Sequence, residues 1–236
     1  MDSAAITGSQ PFAEAAMRAV VETAAATLGF RGSPELVRLG ERAVFRLPVG
    51  VVARVARPTG RAAAAKEVAV ARWLRSEGMD VDEPLPVEQP RIATGLAVTF
   101  WRAIDGDWTI PEDLAGVLRE LHRMGSPADP ALGVLDPFAG LPSRVEAAAL
   151  FTKYEEAWLT GRIASLRRRV AQLEFSLLPA VIHGDANIGN ILKTAECRLV
   201  LLDLGGVCVG QPEWDLAITA VYRELGWHTV AHTGAM

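Results

Sequence analysis

Residues 181–205 read VIHGDANIGNILKTAECRLVLLDLG, and three of them have the types and spacing to share one reaction. Asp185, Asn190 and Asp203 stand at the ends of short apolar segments: Val181-Ile182 before His183-Gly184-Asp185, Ile191-Leu192 after Asn190, and Leu199-Val200-Leu201-Leu202 before Asp203. Side chains at such ends leave a packed core and face a cleft. A carboxylate, an amide and a second carboxylate in this order suit phosphoryl transfer. One carboxylate accepts the proton of an attacking hydroxyl, while the amide oxygen and the other carboxylate hold magnesium on nucleotide phosphates. Magnesium is a hard cation bound through one or two protein carboxylates plus substrate phosphates, so Asp and Asn fit it better than His or Cys. The competing reading is a hairpin whose Asp residues cap turns; it leaves the joint spacing unexplained.

The order of base, Asn, strand and Asp-x-Gly resembles the catalytic and metal loops of protein kinases, with His183-Gly184-Asp185 in place of His-Arg-Asp and Asp203-Leu204-Gly205 in place of Asp-Phe-Gly. HGDANIGNIL followed by LLDLGGVCVGQPEWDLA resembles more closely the aminoglycoside phosphotransferase and choline kinase-like family, because two spaced motifs agree in order and separation. This resemblance implies an α+β, protein-kinase-like fold in two lobes. It implies Asp185 as catalytic base, Asn190 and Asp203 as ligands of Mg2+, and ATP as the phosphate donor, with GTP as the alternative. The acceptor is then a hydroxyl of a small molecule, an aminoglycoside or other antibiotic among the candidates. The alternative function is a nucleotide-binding kinase-like protein without transfer activity. A metal-dependent phosphoesterase needs more His and Asp ligands than are offered here, since of four histidines only His183 lies in the motif. His183 reads as a support of its loop through side-chain hydrogen bonds.

The elements that must position these residues can be read in outline. Residues 11–28 are Ala-rich without a breaker after Pro11 and predict a helix ending near Gly29. Strand-like runs follow at 35–39, 43–47 and 51–56, separated by Gly40-Glu41-Arg42 and Pro48-Val49-Gly50. A helix is predicted over 61–76, with Ala65, Val68, Ala69 and Trp73 on its apolar face. Residues 80–91, with Pro84, Pro86 and Pro90, predict a loop, and 96–101 a strand breaking at Asp105-Gly106-Asp107. Thr109 with Glu112, and Pro111 in the first turn, open a helix carrying Leu114, Val117, Leu118 and Leu121 at i, i+3, i+4 and i+7. His122 closes it. Ser143 and Glu146 suggest a second capping box, opening a helical region from about 144 to 175 with a break at Gly161.

On these elements the resemblance implies further roles. The small antiparallel-sheet N-lobe is 1–101, with the N-terminal helix and the helix at 61–76; the mainly helical C-lobe is 102–236, short at its C-terminal part for the family. The turn Gly40-Glu41-Arg42-Ala43 lies where this fold covers nucleotide phosphates. Arg54 stands where kinases place the lysine that contacts the α- and β-phosphates, and Glu67 is its expected partner. The strand over 96–101 leads into the hinge, so Thr99, Phe100, Trp101 and Arg102 are the candidates to receive the adenine; Phe100 or Trp101 lines the purine pocket or else lies in the lobe core. Asp215 ties the metal loop to the following helix. The acidic pair Glu155-Glu156 either meets a cationic substrate or is a solvated helix face. The short C-terminal part, with an irregular end over 228–236, leaves the substrate wall either incomplete or supplied by a second chain of an oligomer.

Composition narrows the class. With 236 residues, half of them hydrophobic, the chain is long enough to bury a sizeable core. A net charge of −4 argues against a general nucleic-acid binder. Two cysteines, Cys197 and Cys208, are too few for a disulfide framework and read as small buried residues. Residues 1–10 have neither a basic start nor a long apolar core, which argues against a signal peptide, and no run is long enough to span a bilayer. The expectation is a cytoplasmic protein with access to nucleotide, without nucleic-acid or membrane partners.

Overall fold

Met17, Val20, Val21, Ala24 and Ala25 recur at helical spacing and bury one face of α1 (Glu14–Ala26). What they bury against is a sheet whose residues alternate. In β2 (Ala43–Leu47) and β3 (Val51–Val55) every second side chain is buried, so Phe45, Ala53 and Val55 face α1 while Val44, Val52 and Arg54 face away. The computed structural model describes residues 13–48, 50–148 and 150–225. The expected helix start at Pro11, the first ten residues, Val49 and the expected irregular end over 228–236 lie outside these.

The sheet is antiparallel, with strand order β1 (Glu35–Leu39), β2, β3, β5 (Leu96–Arg102), β4 (Arg91–Ala93). Arg54 lies between Val44 of β2 and Thr99 of β5 in the register. Helix α2 (Arg61–Ser76) belongs to a different core. Val68, Ala71 and Leu74 pack with Trp101, with Leu114, Val117, Leu118 and Leu121 of α3 (Pro111–Leu121), and with Ile191, Leu201 and Leu204. Glu67 sits on this helix and is buried.

After β5 the described residues carry four helices, α3 among them, and short strands that hold the motif. The others are β6 (Gly106–Trp108), α4 (Leu141–Ala147), α5 (Lys153–Val170), β7 (Ala180–Ile182), β8 (Ile191–Thr194), β9 (Leu199–Leu201), β10 (Cys208–Gly210) and α6 (Glu213–Glu224). β6, β8 and β9 form one small sheet; β7 and β10 form a second. Residues 106–108, expected as a break, are thus a strand, paired with residues 192–194. The sequence also gives no sign of β4.

Several expectations are corrected here. α4 ends at Ala147 and α5 runs unbroken from Lys153 through Gly161, so the helical region after Ser143 is interrupted before Gly161 and not at it. The capping box that starts α5 is Thr152 with Glu155; Ser143 instead donates to Gly140 O at 3.1 Å. Thr109 bonds the Asp113 side chain, and α3 starts without a side-chain cap. Cys208 is buried but Cys197 is exposed, on a turn with φ of 61°. Among the described residues no helix is long and apolar enough to cross a membrane.

Candidate active site

The loop after β7 and the loop after β9 are pressed together backbone to backbone. Gly184 has φ of +82°, and a Cβ there would lie 2.5 Å from Gly206 O; a Cβ on Gly206 would lie 2.8 Å from His183 O. Only glycine allows this approach. His183, fully buried, adds a side-chain tie: its Nε2 lies 2.9 Å from Leu202 O, while its Nδ1 accepts Asp185 N at 3.3 Å. A carbonyl only accepts and an amide only donates, so these partners assign the Nε2–H tautomer.

That junction brings the three sequence candidates to one place. Asn190 Nδ2 donates to Asp185 O at 2.8 Å and to Asp185 Oδ2 at 3.3 Å. Leu202 N donates to Asn190 O at 2.8 Å, which fixes Asn190 beside the strand end leading to Asp203. Asn187 caps the turn: its Oδ1 accepts Gly189 N at 2.9 Å, and its Nδ2 donates to Asp185 O at 3.1 Å. Asp203 takes the left-handed conformation, φ 56° and ψ 58°. Asp adopts it more readily than most residues, and such conformations concentrate at functional sites.

The Asp185 side chain is open to solvent, yet the neighbouring loops desolvate it enough to push its pKa above the ordinary carboxylate value. The negative charge of Asp203 acts in the same direction. The hydrogen bonds from Asn190 and Asn187 oppose the shift without cancelling it.

Helix α6 holds the Asp185 loop from below. Asp215, with no exposed surface, accepts His183 N at 2.8 Å and Gly184 N at 2.9 Å, and lies 2.9 Å from His122 Nε2. Trp214 Nε1 donates to Gly184 O at 3.0 Å. The expectation that Asp215 ties the metal loop is therefore corrected: its ligands are the two amides of the Asp185 loop. His122, expected only to close its helix, does so and also reaches this carboxylate.

Across the cleft a charge network surrounds Glu67. Arg54 Nη1 lies 3.0 Å from Glu67 Oε1, and its Nη2 bonds Asp82, a buried carboxylate. The Arg54 guanidinium also stacks 4.5 Å from the Trp101 ring centroid. Arg42 contacts both Glu67 oxygens at 2.9 and 2.8 Å, and its Nη2 reaches Asp203 Oδ1 at 2.5 Å. Burial alone would lower the pKa of both arginines, but the surrounding carboxylates more than offset it and raise both. Sequence reasoning paired Glu67 with Arg54 but missed Asp82, and saw Arg42 only as part of a turn. Lys66, also unforeseen, donates to Gly205 O at 3.2 Å.

Of the four residues expected to receive the adenine, three turn their side chains into the protein. Thr99, Phe100 and Trp101 are buried, Phe100 in the core under α1 and Trp101 in the core that contains α2. The Thr99 hydroxyl accepts Trp101 Nε1 at 2.9 Å. Both edges of β5 are bonded: Thr99 and Trp101 pair with Arg54 and Val52, Phe100 bonds Leu85 and Gln89, and Arg102 N donates to Glu83 O. Thr99, Phe100 and Trp101 are thus enclosed by the sheet and its two cores, whereas Arg102, the last residue of β5, is exposed and pairs with Glu83 at 2.7 Å. The chain first leaves the sheet at residues 103–105. Of the acidic pair on α5, Glu155 closes the capping box and Glu156 pairs with Lys153 at 2.7 Å.

The donor set fits magnesium. Asn190 uses its amide nitrogen on Asp185, which leaves its oxygen for a cation, and Asp203 already carries a positive partner in Arg42. Among the described residues no group of three or more His, Cys, Asp or Glu side chains could hold a metal ion. A cation at Asn190 and Asp203 would therefore complete its shell with phosphate oxygens and water, as magnesium does.

Comparison with known proteins agrees with this geometry. The model of the phosphotransferase enzyme family matches residues 37–234. An aminoglycoside phosphotransferase from Streptomyces rimosus superposes with a TM-score of 0.69 at 20% identity, covering 90% of this chain and 85% of its own. The same enzyme has been solved in complex with ADP and streptomycin. An aminoglycoside-3'-phosphotransferase of type VIII gives 0.63 at 21% identity, covering 92% and 93%. A choline/ethanolamine kinase family protein from Mesorhizobium loti gives 0.53 at 22%, covering 88% and 70%. No curated protein matches. The fold is α+β and protein-kinase-like.

Proposed function

This chain belongs to the phosphotransferase enzyme family, and from that premise we propose that it transfers the γ-phosphate of ATP, or of GTP, to a hydroxyl of a small molecule such as an aminoglycoside or another antibiotic. The observation that carries the reading is the convergence of Asp185, Asn190 and Asp203 on two loops locked together at Gly184 and Gly206. The lobe division at residues 101 and 102 and a cytoplasmic location, where nucleotide is at hand, belong to the same proposal.

In this reaction Asp185 orients the acceptor hydroxyl and takes its proton as the hydroxyl oxygen bonds the γ-phosphorus. The bond from the γ-phosphorus to the bridging oxygen breaks, and the nucleoside diphosphate leaves. A carboxylate is a weak base, so its main contribution is orientation and late proton acceptance; the raised pKa of Asp185 improves the match. Asn190 and Asp203 hold Mg2+, which when bound offsets charge on the phosphate oxygens. Arg54, oriented by Glu67, supplies positive charge toward the α- and β-phosphates. The adenine contacts fall to the backbone at the end of β5, from Arg102 to Asp105, since the side chains of Thr99, Phe100 and Trp101 are buried.

Turnover of ATP and GTP with a panel of hydroxyl acceptors, beside thermal shift with magnesium-nucleotide, tests this. Turnover with at least one acceptor is the expected result. A thermal shift without turnover on any acceptor would favour the non-transferring nucleotide binder, and neither signal would defeat both.

A further inference from the structure

Glu67 is shared by two arginines that are held in different ways. Arg54 is fixed by Glu67, by Asp82 and by the Trp101 ring, and only 15% of its side chain is exposed. Arg42 forks one nitrogen onto both Glu67 oxygens and extends the other to Asp203. The Glu67 end is buried. The Asp203 end is wet, with side-chain exposures of 31% for Arg42 and 39% for Asp203. Water screens that contact, so it is the half of the network that releases at low cost. Nor does the β1–β2 turn depend on it, because Arg57 clamps that turn through Gly40 O at 2.9 Å and Glu41 O at 3.1 Å.

We propose that Arg42 is a transferable cation of the nucleotide site, neutralising Asp203 before nucleotide arrives and passing to the phosphates of a nucleoside di- or triphosphate when it binds, while its other nitrogen stays on Glu67. The inference rests on the phosphotransferase reading and adds to it a phosphate-binding residue. A divalent cation on Asp203 repels a guanidinium bonded to the same carboxylate, so metal entry and withdrawal of Arg42 are coupled. The released nitrogen needs a new anion, and the phosphates brought by the metal provide one. A guanidinium suits this task because its planar fork serves two oxyanions at once; an ammonium has no such fork.

The test compares the wild-type chain with Arg42→Gln and Arg42→Lys by calorimetric titration of magnesium-ADP, adenosine, and Mn2+ alone. Arg42→Gln is expected to weaken magnesium-ADP by about tenfold or more, the scale of a lost charge-assisted contact, and to leave adenosine affinity unchanged. It is also expected to tighten Mn2+ alone, because Asp203 is freed. Arg42→Lys recovers part of the ADP affinity. Equal loss for ADP and adenosine would show a scaffold role and overturn the proposal, as would unchanged ADP affinity or unchanged or weaker Mn2+ binding. If the glutamine variant does not fold, the lysine variant is read by the same ADP-against-adenosine comparison. Wild-type protein that binds no magnesium-ADP overturns the phosphotransferase reading together with this one, whereas wild-type binding with an indifferent Arg42 overturns this one alone.

Discussion

The Asp215 carboxylate accepts the backbone N–H of Gly184 at 2.9 Å, and with its second oxygen that of His183 at 2.8 Å, so helix α6 holds the loop that carries Asp185. Asp215→Ala leaves two backbone amides, that of the fully buried His183 among them, without their acceptor. We expect it to lower the unfolding free energy by about 2–4 kcal/mol, measured in urea, and to reduce any transfer activity along with it. His122→Ala removes one contact at the edge of the same carboxylate and should cost about 1 kcal/mol. Equal effects of the two variants would place the hold on the loop elsewhere.

Asp185 carries opposite consequences for activity and stability. Asp185→Ala should lower kcat by about 10²- to 10⁴-fold while the thermal shift with magnesium-nucleotide persists. Asp185→Asn tests the raised pKa. A folded-state pKa above the unfolded value of about 3.9 means that folding favours the protonated acid. The stability linked to that proton is complete below pH about 4 and is lost as pH rises through the higher folded value. The asparagine variant should therefore melt above wild type at neutral pH, with the gap closing as pH falls through the raised folded value and gone below pH about 4. A gap that is constant with pH would remove the titration of Asp185 as its cause.

Arg54 is the cation between two buried carboxylates. Arg54→Ala leaves Asp82 and Glu67 short of charge in a dry setting, and should destabilise by about 3–5 kcal/mol. Adding Asp82→Asn removes one stranded charge and should restore part of the loss. A double-mutant cycle measures the coupling, and simple additivity of the two changes would argue against a direct pair.

Asp203→Ala should weaken magnesium-nucleotide by at least about tenfold, since even partners outside a metal's first shell count for that much. Nucleotide binding measured in chelator should change far less. A titration giving the same metal-dependent gain in both proteins removes Asp203 from the metal site.

The parts of this fold that were legible in the sequence are those whose signal is local. Phe45, Ala53 and Val55 alternate with outward-facing neighbours, Arg46 and Arg54 among them, and the bounds of β2 and α2 follow from the period of their buried residues. Asp185, Asn190 and Asp203 stand out because their order and spacing are encoded in one stretch of 25 residues or fewer. Contacts closed by the fold leave no such trace. Arg42 and Asp203 are 161 positions apart, and Asp82 sits in a loop whose composition suggests only prolines and turns. β4 and β6 are three residues each and exist because β5 and β8 offer an edge. Gly161 reads locally as a helix breaker, but an isolated glycine is tolerated within a helix, and the interruption is set instead by Thr152, which caps the start of α5. Phe100 and Trp101 show the same limit: a hydrophobic strand does not say which of its aromatics faces a ligand, and here neither does.

The contact between Gly184 and Gly206 joins the two loops at a point where no side chain can intervene. Any swing of the β-sheet half relative to the helical half thus leaves the interval between Asp185 and Asp203 untouched. The arrangement is inherited from folding and is not assembled on encounter. Variation that tunes which alcohol reacts must then lie in the walls that present it, and an alanine at either glycine would damage every substrate alike.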